Sequence, residues 1–167
     1  MSKRLCSGCH HKRADHLFPK GHRLCELCKI AKKHGQKLEK KAISKSVLGK
    51  KLMLLVKKYI HIRDNNTCQW CGKGGLVGSN CQVSHVIPVS AGKALSYEPT
   101  NMKILCYHCH LNVWHKHPRK ASTWFKNKFP DRDLFLTQHE NDEVHWKSED
   151  YQRMIEEWER KLQSCGV

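Results

Sequence analysis

Eight of the ten cysteines fall into four C-x2-C pairs: Cys6/Cys9, Cys25/Cys28, Cys68/Cys71 and Cys106/Cys109. Two thiolates separated by two residues grip one side of a tetrahedral ion, and a second pair closes the four-coordinate shell. Zinc fits that geometry and those soft ligands best. Cys6, Cys9, Cys25 and Cys28 form the first predicted site, and Cys68, Cys71, Cys106 and Cys109 the second. A four-thiolate shell leaves no position for water, so both zinc ions are expected to be structural. His10 and His11 are competing donors at the first site, although four cysteines already complete it. A disulfide scaffold is the other use of so many cysteines. The close pairing, and an N-terminus MSKRLCSGCH without the apolar stretch of a secretory leader, weigh against it. Cys81 and Cys165 remain, the first expected as a packed thiol and the second in a frayed terminus.

Between the two halves of the second set lie S-H-V-I-P, a loop, and T-N-M-K-I-L-C-Y-H-C-H. This arrangement resembles the HNH (ββα-metal) nuclease motif. The resemblance implies that His85, ending a first strand, is the general base. Asn101, beginning a second strand, steadies the loop and positions water. His110, directly after Cys109, holds a divalent ion, Mg²⁺ or Mn²⁺. The residue types suit phosphodiester hydrolysis, which needs a base of near-neutral pKa to activate water; histidine at about 6.5 requires little tuning. It also needs a cation against the charge that builds on the phosphate and the leaving oxygen. One position departs from the pattern. The superfamily commonly has a metal-binding Asp or His before the base, and here Ser84 stands there; Asn112, His108 and His115 are the nearby candidates to complete the shell.

The likeness reaches beyond the motif. K-Y-I-H-I-R-D-N-N-T-C-Q-W-C-G resembles the approach to the nuclease module in the NinG/Rap family of phage recombination endonucleases. W-F-K-N-K-F-P-D-R-D, V-H-W-K-S-E-D-Y and E-E-W-E-R-K-L resemble that family's C-terminal region. The resemblance implies a DNA endonuclease acting on branched recombination intermediates such as Holliday junctions, in the cytoplasm (the host's, if phage-encoded). Two alternatives stay open: a nonspecific or site-specific nicking or packaging enzyme, and a non-catalytic, zinc-stabilised DNA-binding regulator. Two cuts per junction call for a symmetric dimer, with the apolar faces of Val47–Ile60 and of the last helix as candidate contacts.

The elements that must position these residues follow from periodicity and charge. Leu48, Leu52, Leu55, Val56, Tyr59 and Ile60 mark an amphipathic helix, broken by Asp64, Asn65 and Asn66. Strands are expected over 82–88 and 102–106, then a helix to about His117 that stops at Pro118. A short helix near 122–129 and an amphipathic one over 149–162 follow. A Lys-rich, solvated helix is expected over 26–45, weakened at Gly35. The resulting fold class is α+β: a small zinc-stabilised ββα-metal (HNH) module (58–118) after a four-cysteine zinc finger (1–30) and a basic helical linker (31–57), and before a helical tail (119–167). The net charge of +16 is unevenly spread: +14 in residues 1–60, +5 in 61–120 and −3 in 121–167. That excess points to a polyanionic partner such as DNA, reached partly through Lys50, Lys51, Lys57 and Lys58. Trp70, Tyr107, Trp114 and Trp124 are expected mostly to pack, with base stacking as the alternative. No apolar run reaches the roughly 20 residues that span a bilayer, so no membrane partner is expected.

Overall fold

The computed structural model describes residues 3–7, 10–14, 24–33 and 43–166. The chain divides into two compact units, Met1–Ile43 and Ser44–Val167. Among the described residues no helix is long and apolar enough to cross a membrane.

In the first unit β1 (Lys3–Leu5) pairs antiparallel with β2 (Lys12–Ala14), in a register that sets Leu5 opposite Lys12. The connecting turn is closed by the Cys6 amide on the His11 carbonyl (3.0 Å) and the His10 amide on the Cys6 carbonyl (2.8 Å). His10 adopts φ +55°, the left-handed conformation such a knuckle needs. Helix α1 (Glu26–Lys33) follows Cys25 and carries an acid in its first turn, where the helix dipole favours it. Leu5, Leu27 and Ile30 stay more than half exposed, while Cys6, Cys25 and Cys28 are buried. The described interior of this unit is therefore made of thiols, with Leu24 against them. The expected basic helix over 26–45 is seen at Glu26–Lys33; residues 34–42 lie outside the described residues, and Ile43 and Ser44 are not helical.

The second unit opens on α2 (Lys45–Arg63), capped by the Ser44 hydroxyl, which accepts from the Val47 amide at 3.4 Å. Leu48, Leu52, Val56 and Ile60 are buried along one face. Asn65 and Asn66, both at φ +47°, turn the chain after the helix. Asp64 does more than break it. Its carboxylate accepts from the buried Ile104 amide (2.8 Å) and from Arg63 Nε (2.7 Å). Arg63 in turn donates to the carbonyls of Pro99 (2.8 Å) and Met102 (2.7 Å), which ties the end of α2 to the second strand of the hairpin.

That hairpin is β3 (Cys81–His85) antiparallel to β4 (Met102–Cys106), in a register that sets Cys81 opposite Cys106 and His85 opposite Met102. Strand β4 has the expected bounds and is buried at every position, as a strand covered on both faces must be. Strand β3 ends at His85, three residues short of expectation, because the chain turns into the 87–101 loop. Two 3₁₀ turns, Lys93–Tyr97 and Pro99–Asn101, give that loop its shape.

Three helices complete the unit: α3 (Pro118–Lys128), α4 (Pro130–His139) and α5 (Ser148–Ser164). Pro118 is expected to end a helix but instead opens one. Its fixed φ and missing N–H suit the first helical position, where the donor would be unsatisfied anyway. Helix α4 starts the same way at Pro130 and is an unanticipated element.

The tail is integral to the core. Ala121, Phe125, Leu136 and Ile155 share one buried cluster with Leu52 and Ile104. Trp158 lies against Tyr59 at 5.2 Å, and Lys51 pairs with Glu159 at 2.7 Å. The apolar faces of α2 and α5, expected as dimer contacts, thus cover each other within one chain. Helix α2 also runs unbroken through residue 57, the expected boundary between linker and module.

Candidate active site and metal clusters

The frame is set by cysteine chemistry. The Sγ atoms of Cys68, Cys71, Cys106 and Cys109 all lie within 4.8 Å of one another, with Cys71 and Cys106 4.0 Å apart. Tetrahedral zinc with Zn–S bonds of about 2.3 Å requires sulfurs about 3.8 Å apart, so the donors fit this ion. The Gln69 amide donates to the Ile104 carbonyl (2.9 Å), docking the first knuckle onto β4, which carries the second. Burial alone would raise the Cys68 thiol, but backbone amides of Cys71, Cys106 and Trp70 overcome it and draw its pKa down to about 7. Burial pushes Cys109 far up. Four thiolates crowded this closely need a cation, and a zinc ion there would clamp the start of the hairpin module to its last turn. In the first unit Cys6, Cys25 and Cys28 also lie within 4.8 Å of one another. Cys9, the fourth expected ligand, lies outside the described residues. Cys81 is half-buried beside His61 Nδ1 (3.6 Å), and burial raises its pKa, consistent with a packed thiol rather than a nucleophile.

His85 ends β3 half-buried, with Nε2 3.1 Å from the Ser96 carbonyl. A carbonyl only accepts, so Nε2 carries the proton and Nδ1 keeps the lone pair in the neutral ring. Burial lowers its pKa, the Ser96 carbonyl resists this, and Lys57 and Lys103 add to the lowering, so the balance favours the neutral ring.

Asn101 is fully buried. Its Oδ1 accepts from the Ile87 amide (2.7 Å), and Nδ2 donates to the carbonyls of Ile87 and Leu95 (both 3.0 Å). Its own carbonyl receives the Val86 amide at 2.7 Å. These bonds fasten the enclosed amide to the backbone of the loop. The loop also carries Ser96, whose carbonyl faces His85, one residue after the Leu95 carbonyl that Asn101 holds.

His110 stands on a π-helical turn, Cys109–Trp114. Its Nδ1 bonds to Gln82 Oε1 on β3, and its Nε2 lies 3.0 Å from His115 Nε2. Burial lowers its pKa, with His115 as the next cause. Nitrogens this close suit adjacent positions around one divalent ion at bond lengths near 2.1 Å. Of the three candidates for completing the shell, His115 is the one brought to His110. His108 and Asn112 face each other instead, 3.4 Å apart. Ser84 is buried, and its hydroxyl donates to the His85 carbonyl (3.3 Å). Gln82, which orients His110, carried no signal in the sequence beyond its place on β3.

Beneath the site sits Lys103, fully buried opposite Ser84 in the strand ladder. Its Nζ is 3.2 Å from the Trp114 ring centroid and makes a long, 3.5 Å bond to the His85 carbonyl. Burial drives its pKa well down, assisted by Arg132 and resisted by Asp64. Trp114 is buried, and Trp70 and Trp124 stack at 4.6 Å, so these rings pack; Tyr107 remains half exposed. His85, His110 and His115 all open onto one cleft of about 710 Å³ between the hairpin and helices α3 and α4.

Residues 68–119 match the HNH endonuclease family model. No curated protein and no solved structure matches the chain. The matched segment runs from the first zinc knuckle to the start of α3 and contains His85, Asn101, His110 and His115. It is an HNH-type nuclease module, for which DNA is the implied substrate.

Proposed function

We propose that this protein is a metal-dependent DNA endonuclease whose base is His85 and whose substrates are branched recombination intermediates. One observation carries the catalytic part: the Ser96 carbonyl fixes the Nε2 proton of His85, which leaves Nδ1 free to take a proton from water. His110 and His115 hold the catalytic ion, and Gln82 fixes the ring of His110. When bound, that ion neutralises charge on the scissile phosphate and the leaving oxygen. A pair of imidazoles favours a transition-metal ion over Mg²⁺. The two cysteine sets hold structural zinc. The branched-DNA part rests on the likeness of the flanking segments to the NinG/Rap family, and with it goes a pair of chains acting on the two strands of a junction.

Zinc-loaded protein is assayed with Mg²⁺, Mn²⁺ or Ni²⁺ on four-way junctions, flaps and linear duplex. We expect cutting of junctions and flaps above duplex, with Mn²⁺ or Ni²⁺ exceeding Mg²⁺. His85→Ala should abolish cutting while DNA binding and zinc content persist. Cleavage surviving in His85→Ala sinks the mechanism. Equal rates on duplex and junction sink the substrate reading and leave a general nicking enzyme. The buried Ser84 hydroxyl, which is no metal ligand, favours one second reading: a DNA-binding module without activity, marked by binding with no cutting in any metal.

A further inference from the structure

The cleft does not end at the imidazoles. Besides His85, His110 and His115 it is lined by Val86, Ile87, Pro88 and Val89 after β3, and by the buried Trp114, Ala121, Phe125 and Leu136. Its volume of about 710 Å³ falls within the roughly 300–1,000 Å³ of pockets that enclose small ligands. Asp133 and Thr137 on α4, and Glu140 just after it, also line the cleft. Among the described residues neither carboxylate has an ion-pair or hydrogen-bond partner.

We propose that this cleft, beside the imidazoles, receives one unpaired nucleobase of the strand being cut, adjacent to the scissile phosphate. The inference rests on the nuclease reading, which puts that phosphate at the cleft's mouth. Three features select a base over another occupant. The accessible apolar lining, Val86, Ile87, Pro88 and Val89, suits the faces of a base better than a sugar or a phosphate. The two carboxylates repel backbone phosphate, so the cleft is no continuation of the DNA groove. They are also acceptors suited to the exocyclic amines of cytosine, adenine and guanine, a group thymine lacks. A base stacked and paired in duplex cannot reach such a recess, and extruding it carries a cost that an already unpaired base escapes. The recess therefore supplies a physical ground for preferring junction crossovers, flaps and bubbles. Lys126, exposed at the rim, is placed for the neighbouring phosphate.

The test compares full-length wild-type chain, Thr137→Trp and Asp133→Asn. Thr137 is exposed on α4, so the larger ring should enter the cleft without unfolding the helix; melting temperature and zinc content check this. Cleavage is measured on a duplex and on the same duplex with one unpaired cytosine or thymine beside the cut. Binding is read separately, without added Mg²⁺, Mn²⁺ or Ni²⁺, from 2-aminopurine fluorescence at the unpaired position. We expect the wild type to favour the unpaired-base substrate at least tenfold, and Thr137→Trp to bring that ratio near one. Asp133→Asn should narrow the preference for cytosine over thymine. Equal wild-type rates on both substrates, or a ratio untouched by Thr137→Trp, overturns the proposal while the nuclease reading stands. A 2-aminopurine response lost in Thr137→Trp, without cleavage in any metal, upholds the pocket and removes the nuclease reading.

Discussion

Replacing Asn101 by alanine is the most informative single perturbation, because stability and chemistry meet in that side chain. It removes one bond to the Ile87 amide and two to the carbonyls of Ile87 and Leu95. A buried polar group left without its partner costs about 1–3 kcal/mol. Leu95 lies in the core and finds no water, whereas half-buried Ile87 recovers part of the loss. The total is about 3–5 kcal/mol, a large share of the roughly 5–15 kcal/mol that holds a domain folded. The same loss frees the segment that presents the Ser96 carbonyl to His85. A misplacement on the order of 1 Å lowers rates by about 100-fold. The assay is urea unfolding of zinc-loaded protein, paired with cleavage at a temperature where Asn101→Ala stays folded. Asn101→Asp is expected to fare worse, since it keeps the acceptor for Ile87 but turns an oxygen on two carbonyls. A loss below about 1 kcal/mol, or full cleavage by the folded variant, would refute the argument.

Four further outcomes can be checked. His85 must be neutral to act as base, and burial holds its pKa below 6.5, so activity should rise with pH along a limb centred below 6.5 and then level off. Lys57→Gln removes one of the two lysines, Lys57 and Lys103, that oppose imidazolium, and should move this limb to higher pH, less so at high salt because Lys57 is exposed. Cys109→Ser should leave the second unit with less than one zinc per site and lower its melting temperature by about 10 °C or more, equivalent to roughly 2 kcal/mol, as calorimetry and metal analysis can check. Deleting residues 1–43, at the boundary between the units, should flatten the salt dependence of DNA binding while leaving residual cleavage; an unchanged slope on a log–log salt titration would deny those residues their share of the phosphate contacts.

Elements with a regular pattern were legible in the sequence: the apolar stripe of α2, the strand Met102–Cys106, and the C-x2-C spacing that places four sulfurs together. Helix α4 was not, because Pro130 reads as a stop, and only its position at N1 with Asp131 and Asp133 in the first turn makes it a start. His115 was one candidate among three for a different reason. In an α-helix, residues five apart point about 140° away from each other, whereas the wider π turn brings His110 and His115 to one side. Asp64 signalled a helix end, yet its bond to Ile104 depends on a residue 40 positions away that no local pattern reveals. Lys103 is the strongest disagreement between pattern and structure. A lysine within M-K-I-L-C suggests an outward side chain, but β4 is covered on both faces, and burial drives the amine's pKa well down where it lies over the Trp114 ring.

The mutual covering of α2 and α5 has a consequence for how the protein is made. Tyr151 stands by Gly49 near the start of α2, and Trp158 by Tyr59 near its end, across about a hundred residues of intervening chain. On the ribosome, α2 is synthesised about a hundred residues before the helix that shields it. Until then Leu48, Leu52 and Val56 have only part of their final surroundings, and Cys68 and Cys71 wait for the second knuckle to be translated. Nascent chains and products cut short before α5 should therefore be chaperone clients and prone to aggregate, and chains that include α5 should acquire metal and solubility together.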